Sequence, residues 1–174
     1  MASVVFLRGV NVGGKRPVKS VALAKDLAAL GVESIGAAGT FVVRATASQS
    51  AVRDAFLRRI PFRPEVMIVP ARQVVDLVAA EPFAGDVPSG ARPFVTVLAR
   101  RPRTPPRLPL RRPEGKPWQV EITEVRGKFV LSLWRHTARA MLYPNEVVEK
   151  ELGVSATTRN WDTILKIHEV LRGG

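Results

Sequence analysis

Gly9, Gly14 and Lys15 fit the first part of a phosphate-binding loop, G-x-x-x-x-G-K, directly after an apolar run. In such loops backbone N–H groups cradle phosphate, and a Ser or Thr following the lysine holds magnesium. Here that next position is Arg16. Pro17 and a helix cap expected at Ser20 also start the following helix too late to aim its amides at the same anion. These departures exclude a nucleotide triphosphatase. What survives is a turn holding Asn11, Gly13 and Gly14, ringed by Arg8, Lys15, Arg16 and Lys19, which can bind an anion. The competing reading is a long connection whose glycines supply positive φ.

A second motif, Thr157-Thr158-Arg159-Asn160-Trp161-Asp162, lies near the other end. Thr and Asn favour helix starts, so a helix is expected to open near Thr158 or Asn160, with Trp161 as a core anchor. Arg159 then meets an anion or pairs with a carboxylate. The rest of the catalytic vocabulary is thin. His136 reads as a surface residue and His168 as a core or boundary residue, without the carboxylate spacing of a metal site. There is no G-x-S-x-G elbow and no cysteine, hence no thiol nucleophile or disulfide framework. No catalytic set, metal site or cofactor is expected.

The chain has 174 residues and a formal net charge of +12. Residues 100–139 carry eleven basic and three acidic residues, a net of +8. Such an imbalance favours polyanions, of which nucleic acid is the commonest. Arg outnumbers Lys twenty to seven, which a GC-rich genome also produces, so the charge has a purely compositional reading as well. No apolar run approaches the roughly 18–20 residues that span a bilayer. The opening Met1–Arg8 lacks a basic region before its short apolar run, so it reads as a strand and not a signal peptide. A cytoplasmic location and no membrane partner are expected, with a monomer the favoured state.

Apolar periodicity and turn residues then supply the elements. Strands are expected at Val4–Arg8, Ser34–Ala38, Thr40–Ala45 and Glu65–Val69. Helices are expected from Ser20 to Leu30 and from Ser48 or Ser50 to Ile60, with Val52, Phe56 and Ile60 on one face. The order β-α-β-β-α-β is the split arrangement of ferredoxin-like domains. A third helix runs from Pro70 or Ala71 to Ala80 and buries Val74, Leu77 and Val78. After a boundary rich in Pro and Gly come a strand at Phe94–Ala99, a hairpin turning at Arg126-Gly127, and a helix capped by Asn145 that ends at Leu152. Residues 101–117 hold six prolines and six basic residues and read as an exposed loop. The fold class is therefore α+β. A ferredoxin-like subdomain with its following helix covers 1–82, packed with a smaller α+β subdomain covering 92–174.

Leu7-Arg8-Gly9-Val10-Asn11-Val12-Gly13-Gly14-Lys15, Glu81-Pro82-Phe83, and Val148-Glu149-Lys150-Glu151-Leu152-Gly153 leading into Ala156–Lys166 together carry a resemblance. They are similar to the opening, middle and end of domain-of-unknown-function family 1697, an uncharacterised bacterial family, over nearly the whole chain. The resemblance implies an α+β protein with a ferredoxin-like N-terminal subdomain and no established reaction. Two segments depart from it. The family's Gln-Ser-Gly-Asn is Ala37-Ala38-Gly39-Thr40 here, and its Gly-Arg-Ser-Lys-Leu stretch falls at Thr137–Leu142.

Two functions of different class follow. One is nucleic-acid binding, with Phe6 and Phe41 stacking on bases from an open sheet face. Arg100, Arg101, Arg103, Arg107, Arg111 and Arg112 would then track phosphates. The other is a protein or enzyme that takes a small phosphorylated ligand between the Gly9–Lys15 turn and the Arg159-Asn160 helix start. There Arg8, Lys15, Lys19 and Arg159 bind charge, Asn11 and Asn160 orient the ligand, and Gly13 and Gly14 offer backbone N–H groups. Nucleic acid is the favoured partner.

Overall fold

Val4, Val5, Phe6 and Leu7 form an apolar run with no polar member to face water. In the computed structural model all four are buried within strand β1 (Ser3–Arg8). The structure describes every residue except Asp86, Lys116, Ala138, Arg139 and Gly174. The expected place of Lys116 in the basic loop, and of Ala138-Arg139 in the Thr137–Leu142 segment, lies outside the described residues. The chain divides into two units, Met1–Ala80 with Thr163–Gly174, and Glu81–Asp162. The residues from Thr163 onward thus group with the first unit, although position in the sequence assigns them to the second subdomain.

In the first unit β1 is joined by β2 (Val32–Ile35), β3 (Thr40–Val43) and β4 (Glu65–Pro70) in the order β2-β3-β1-β4. Every neighbouring pair is antiparallel. Helix α1 (Ser20–Asp26) follows β1, and α2 (Gln49–Arg59) follows β3. Leu23 and Leu27, with Val52, Phe56 and Ile60, pack on Val5, Leu7, Phe41, Val43, Val66 and Ile68. Phe41 and Phe56 meet edge to face with centroids 5.1 Å apart. The opposite faces of the same strands, at Val4, Phe6, Val42, Met67 and Val69, are buried too. Helix α3 (Ala71–Ala79) packs against β1 and β4 and buries Val74 and Leu77, while Val78 is half-buried. A sheet buried on both faces explains why β1 lacks alternation.

Helix ends agree with expectation in one place and differ in another. Ser48 caps α2 by accepting from Ala51 N at 3.2 Å. Ser20 does not cap α1. Lys19 occupies the cap position, and the Ser20 hydroxyl is buried without a partner. The expected strand 34–38 sits earlier, at Val32–Ile35, because Gly36–Gly39 form the turn into β3.

The second unit is a five-stranded antiparallel sheet. Its strands are β5 (Ala91–Leu98), β6 (Leu110–Arg112), β7 (Val120–Arg126), β8 (Phe129–Arg135) and β9 (Ala156–Asn160), in the order β6-β7-β8-β5-β9. Helix α4 (Pro144–Leu152) supplies Val147 and Val148 to a core with Leu98, Val120, Ile122, Val130, Val154 and Ala156. The β7–β8 hairpin closes where Arg126 faces Phe129 across Gly127-Lys128.

Three expectations change here. The Pro-rich loop contains an edge strand, β6, pinned because Leu108 and Leu110 pack on the core. Asn145 lies inside α4, whose cap position is Tyr143, and its carbonyl accepts from the Thr158 hydroxyl at 3.0 Å. The Thr-Thr-Arg-Asn segment pairs with β5 as strand β9, and helix α5 (Trp161–Arg172) begins only at Trp161. His168 on α5 is half-buried, and Ile164 and Ile167 form its buried stripe.

Candidate functional site

The Gly9–Lys15 connection is a miniature hairpin. Lys15 N donates to Val12 O at 3.0 Å, Asn11 N donates to Arg16 O at 3.2 Å, and Gly13 and Gly14 have φ of 56° and 71°. Two consecutive positive φ values are what the tightest hairpin turn demands, which accounts for the paired glycines. Asn11, itself at φ 56°, donates from Nδ2 to Val18 O (3.0 Å) and Ala37 O (2.7 Å) and accepts from Val18 N at 2.7 Å. Its side chain is thus committed to holding loops together, not to orienting a ligand. The amides of Asn11, Lys15 and Val18 are consumed internally, two of them by the hairpin itself and the third by the Asn11 side chain. Arg8 pairs with Glu65 at 3.3 Å, and the Arg16 guanidinium lies 5.7 Å from the Phe62 ring. Lys15 and Lys19 stay exposed.

Arg159 is buried on β9, where its Nη1 donates to Thr157 Oγ1 at 2.8 Å and to Thr158 O at 2.9 Å. Loss of hydration on burial pulls its pKa down to about 10, which leaves it charged at neutral pH. A guanidinium so placed holds local backbone and is not presented to a ligand in water. Asn160 ends β9, exposed and opposite Phe94. Of the small-ligand donors, Arg8, Asn11 and Arg159 are thus engaged within the protein, while Lys15, Lys19 and Asn160 remain exposed.

The stacking residues are corrected as well. Phe6 and Phe41 are fully buried, so neither ring presents a face to a base. The unbroken apolar run at Val4–Leu7 carried that signal, because a strand with one open face alternates apolar with polar residues.

The basic segment separates into two parts. Arg100, Arg101, Arg103 and Arg107 are exposed, and among the described residues none of them pairs with a carboxylate. Arg100 reaches Gly153 O at 3.4 Å. Arg111 and Arg112 are tied down. Arg111 pairs with Glu121 and lies 5.7 Å from the Trp118 ring, and Arg112 bonds Glu151 at 2.6 Å and Glu114 at 3.3 Å. Among the described residues no group of three or more His, Cys, Asp or Glu is placed to hold a metal.

The family model described as "Protein of unknown function (DUF1697)" matches residues 1–126. No curated protein matches the chain. A solved structure, that of conserved bacterial protein SP0830 from Streptococcus pneumoniae, is similar with a TM-score of 0.58 and 17% sequence identity, covering 98% of each chain. At that identity the likeness speaks to the α+β fold alone.

Proposed function

We propose, for a chain that belongs to the DUF1697 family, that it binds nucleic acid by its phosphate backbone through Arg100, Arg101, Arg103 and Arg107. We read the first unit as ferredoxin-like, on the strength of its β2-β3-β1-β4 order, and the protein as cytoplasmic. Among the described residues no helix is long and apolar enough to cross a membrane.

One observation carries the reading. Four exposed guanidiniums fall within eight residues, and no described carboxylate neutralises any of them. Charges left unpaired on one loop raise the local positive potential and condense a polyanion, whose displaced counterions favour binding. Prolines at 102, 105, 106 and 109 stiffen the segment, so less chain entropy is lost when it meets its partner.

The test measures binding of labelled single-stranded RNA, single-stranded DNA and duplex DNA at low and near-physiological salt. A variant with the four arginines changed to Gln runs beside the unaltered protein. Low-micromolar binding that persists at physiological salt is expected. The slope of log affinity against log salt should fall by about 0.7–0.9 for each arginine that meets a phosphate. Binding that vanishes at physiological salt, or that the variant retains in full, overturns the reading and leaves the charge as a compositional feature.

A further inference from the structure

An aromatic cluster in the second unit is not used by anything above. Trp134 on β8 lies parallel to Tyr143, with centroids 6.2 Å apart and planes 13° from coplanar. Phe94 and His136 meet the same indole edge-on at 6.0 and 6.5 Å. The arrangement is fastened by polar bonds. Trp134 Nε1 donates to Leu142 O at 2.8 Å. Gln119 accepts from Leu142 N at 2.7 Å and donates to Ala140 O at 2.9 Å. These bonds fix the segment that delivers Tyr143, yet Tyr143 remains 51% exposed.

A large ring held out in water by a rigid frame loses little entropy on meeting a partner, and its π-face accepts any flat apolar surface. Charge narrows the choice of partner. Arg92 is exposed and faces Trp134 directly across the β5–β8 register, so its side chain projects to the same side of the sheet as the indole. Glu146, exposed in the first turn of α4, disfavours a phosphate close to itself, whereas Arg92 favours one on the indole's side of the sheet.

We infer that Tyr143, backed by Trp134, is a stacking platform for an unpaired nucleobase, with Arg92 taking an adjacent phosphate. The inference rests on the nucleic-acid reading above and names its partner as single-stranded. The loop arginines see only phosphates and do not distinguish strand number. A ring face does, because the faces of paired bases inside a duplex are already stacked. Arg92 and Arg100 are eight positions apart along β5 and its exit, about 26 Å at strand rise, or roughly eight nucleotides at the rise of a stacked strand. A 12-nucleotide strand is thus long enough to reach both.

The experiment compares a 12-nucleotide single strand with a 12-base-pair duplex on the full chain, its Tyr143→Ala, Tyr143→Phe and Arg92→Ala variants, and the four-arginine variant. Tyr143→Ala should weaken single-strand binding roughly tenfold, within the range for one stacked base, and leave duplex binding unchanged. Unchanged duplex binding also shows that the variant is folded. Tyr143→Phe should bind as the unaltered protein does, and Arg92→Ala should weaken the single strand more than the duplex. If Tyr143→Ala binds the single strand normally while the four-arginine variant loses both probes, the platform is wrong and the nucleic-acid reading stands. An equal loss of both probes in Tyr143→Ala also overturns the platform. If the unaltered protein binds neither probe, the nucleic-acid reading falls and takes the platform with it.

Discussion

The side-chain amide of Asn11 donates to the main-chain carbonyl of Ala37 across 2.7 Å, joining the hairpin after β1 to the turn before β3. Because the acceptor is backbone, the contact does not depend on the side chain at position 37. The same side chain makes two further bonds to Val18. Asn11→Ala removes all three and puts a Cβ-bearing residue without a local hydrogen bond at φ 56°, so it should cost about 2–3 kcal/mol. Asn11→Gly loses the bonds but tolerates the backbone and should cost about 1 kcal/mol less. Urea unfolding measures both effects: equal midpoints in the two variants would refute the backbone strain, and a midpoint equal to that of the unaltered protein in Asn11→Gly would refute the clamp.

Gly39 stands at φ 74°, and a Cβ there would come 2.6 Å from Val10 Cγ2 and 3.0 Å from Leu7 Cβ. Both neighbours are core residues with little room to yield. Gly39→Ala should therefore destabilise by about 2–4 kcal/mol, combining backbone strain with overpacking. Gly36 is the control, since its φ is 63° but nothing lies within 4 Å of an added Cβ. Gly36→Ala should cost only about 1 kcal/mol, the conformational part alone. Thermal unfolding of both separates strain from collision.

Much of this architecture was legible where local chemistry and tertiary packing agree. Val52, Phe56 and Ile60 mark the buried face of α2, and Ser48 caps it as its type predicts. Legibility failed where the sheet overrides propensity. Thr157, Thr158 and Asn160 are helix-start residues by type, yet β5 offers a partner edge and draws them into β9. Leu110–Arg112 looks like loop because prolines surround it, but β7 pairs with it as an edge strand, where proline is tolerated. The candidate sites were misplaced for a related reason. Residue type suggested ligand contact for Asn11, Arg159, Phe6 and Phe41; the apolar run around Phe6 already argued for burial, whereas the internal bonds of Asn11 and Arg159 are visible only in the fold. Tyr143 went unnoticed because a lone tyrosine has no motif. Its signal lies in the parallel indole beneath it, which no spacing announces.

Arg103 and Arg112 occupy one basic segment and should respond oppositely to replacement. Arg112 bonds Glu151, whose side chain is 18% exposed, so Arg112→Ala strands a largely desolvated carboxylate and should cost about 1–2 kcal/mol. Its effect on the salt dependence of nucleic-acid binding should be small. Among the described residues Arg103 has no carboxylate to lose, and Arg103→Ala should leave the unfolding midpoint unchanged while lowering the salt slope by about 0.7–0.9. Paired measurements of stability and salt slope on the two variants decide the assignment. A salt slope that falls equally in both would show that ion pairing does not divide the segment.

Thr158 tests whether the motif near the C-terminus serves structure or ligand. Its hydroxyl lies 2.7 Å from the Thr96 hydroxyl and donates to Asn145 Oδ1 at 3.0 Å, linking β5, β9 and α4. Thr158→Val keeps the shape and removes both bonds, leaving the buried Thr96 hydroxyl and the half-buried Asn145 carbonyl without this partner, so about 1–2 kcal/mol should be lost. Thr96→Val on the same background should cost less than it does alone, because the bond it would break is already gone. A urea double-mutant cycle reads that coupling directly. Nucleic-acid affinity of Thr158→Val, measured where the protein is fully folded, should equal that of the unaltered chain. A loss of affinity without loss of stability would instead return the Thr-Thr-Arg-Asn strand to the binding surface.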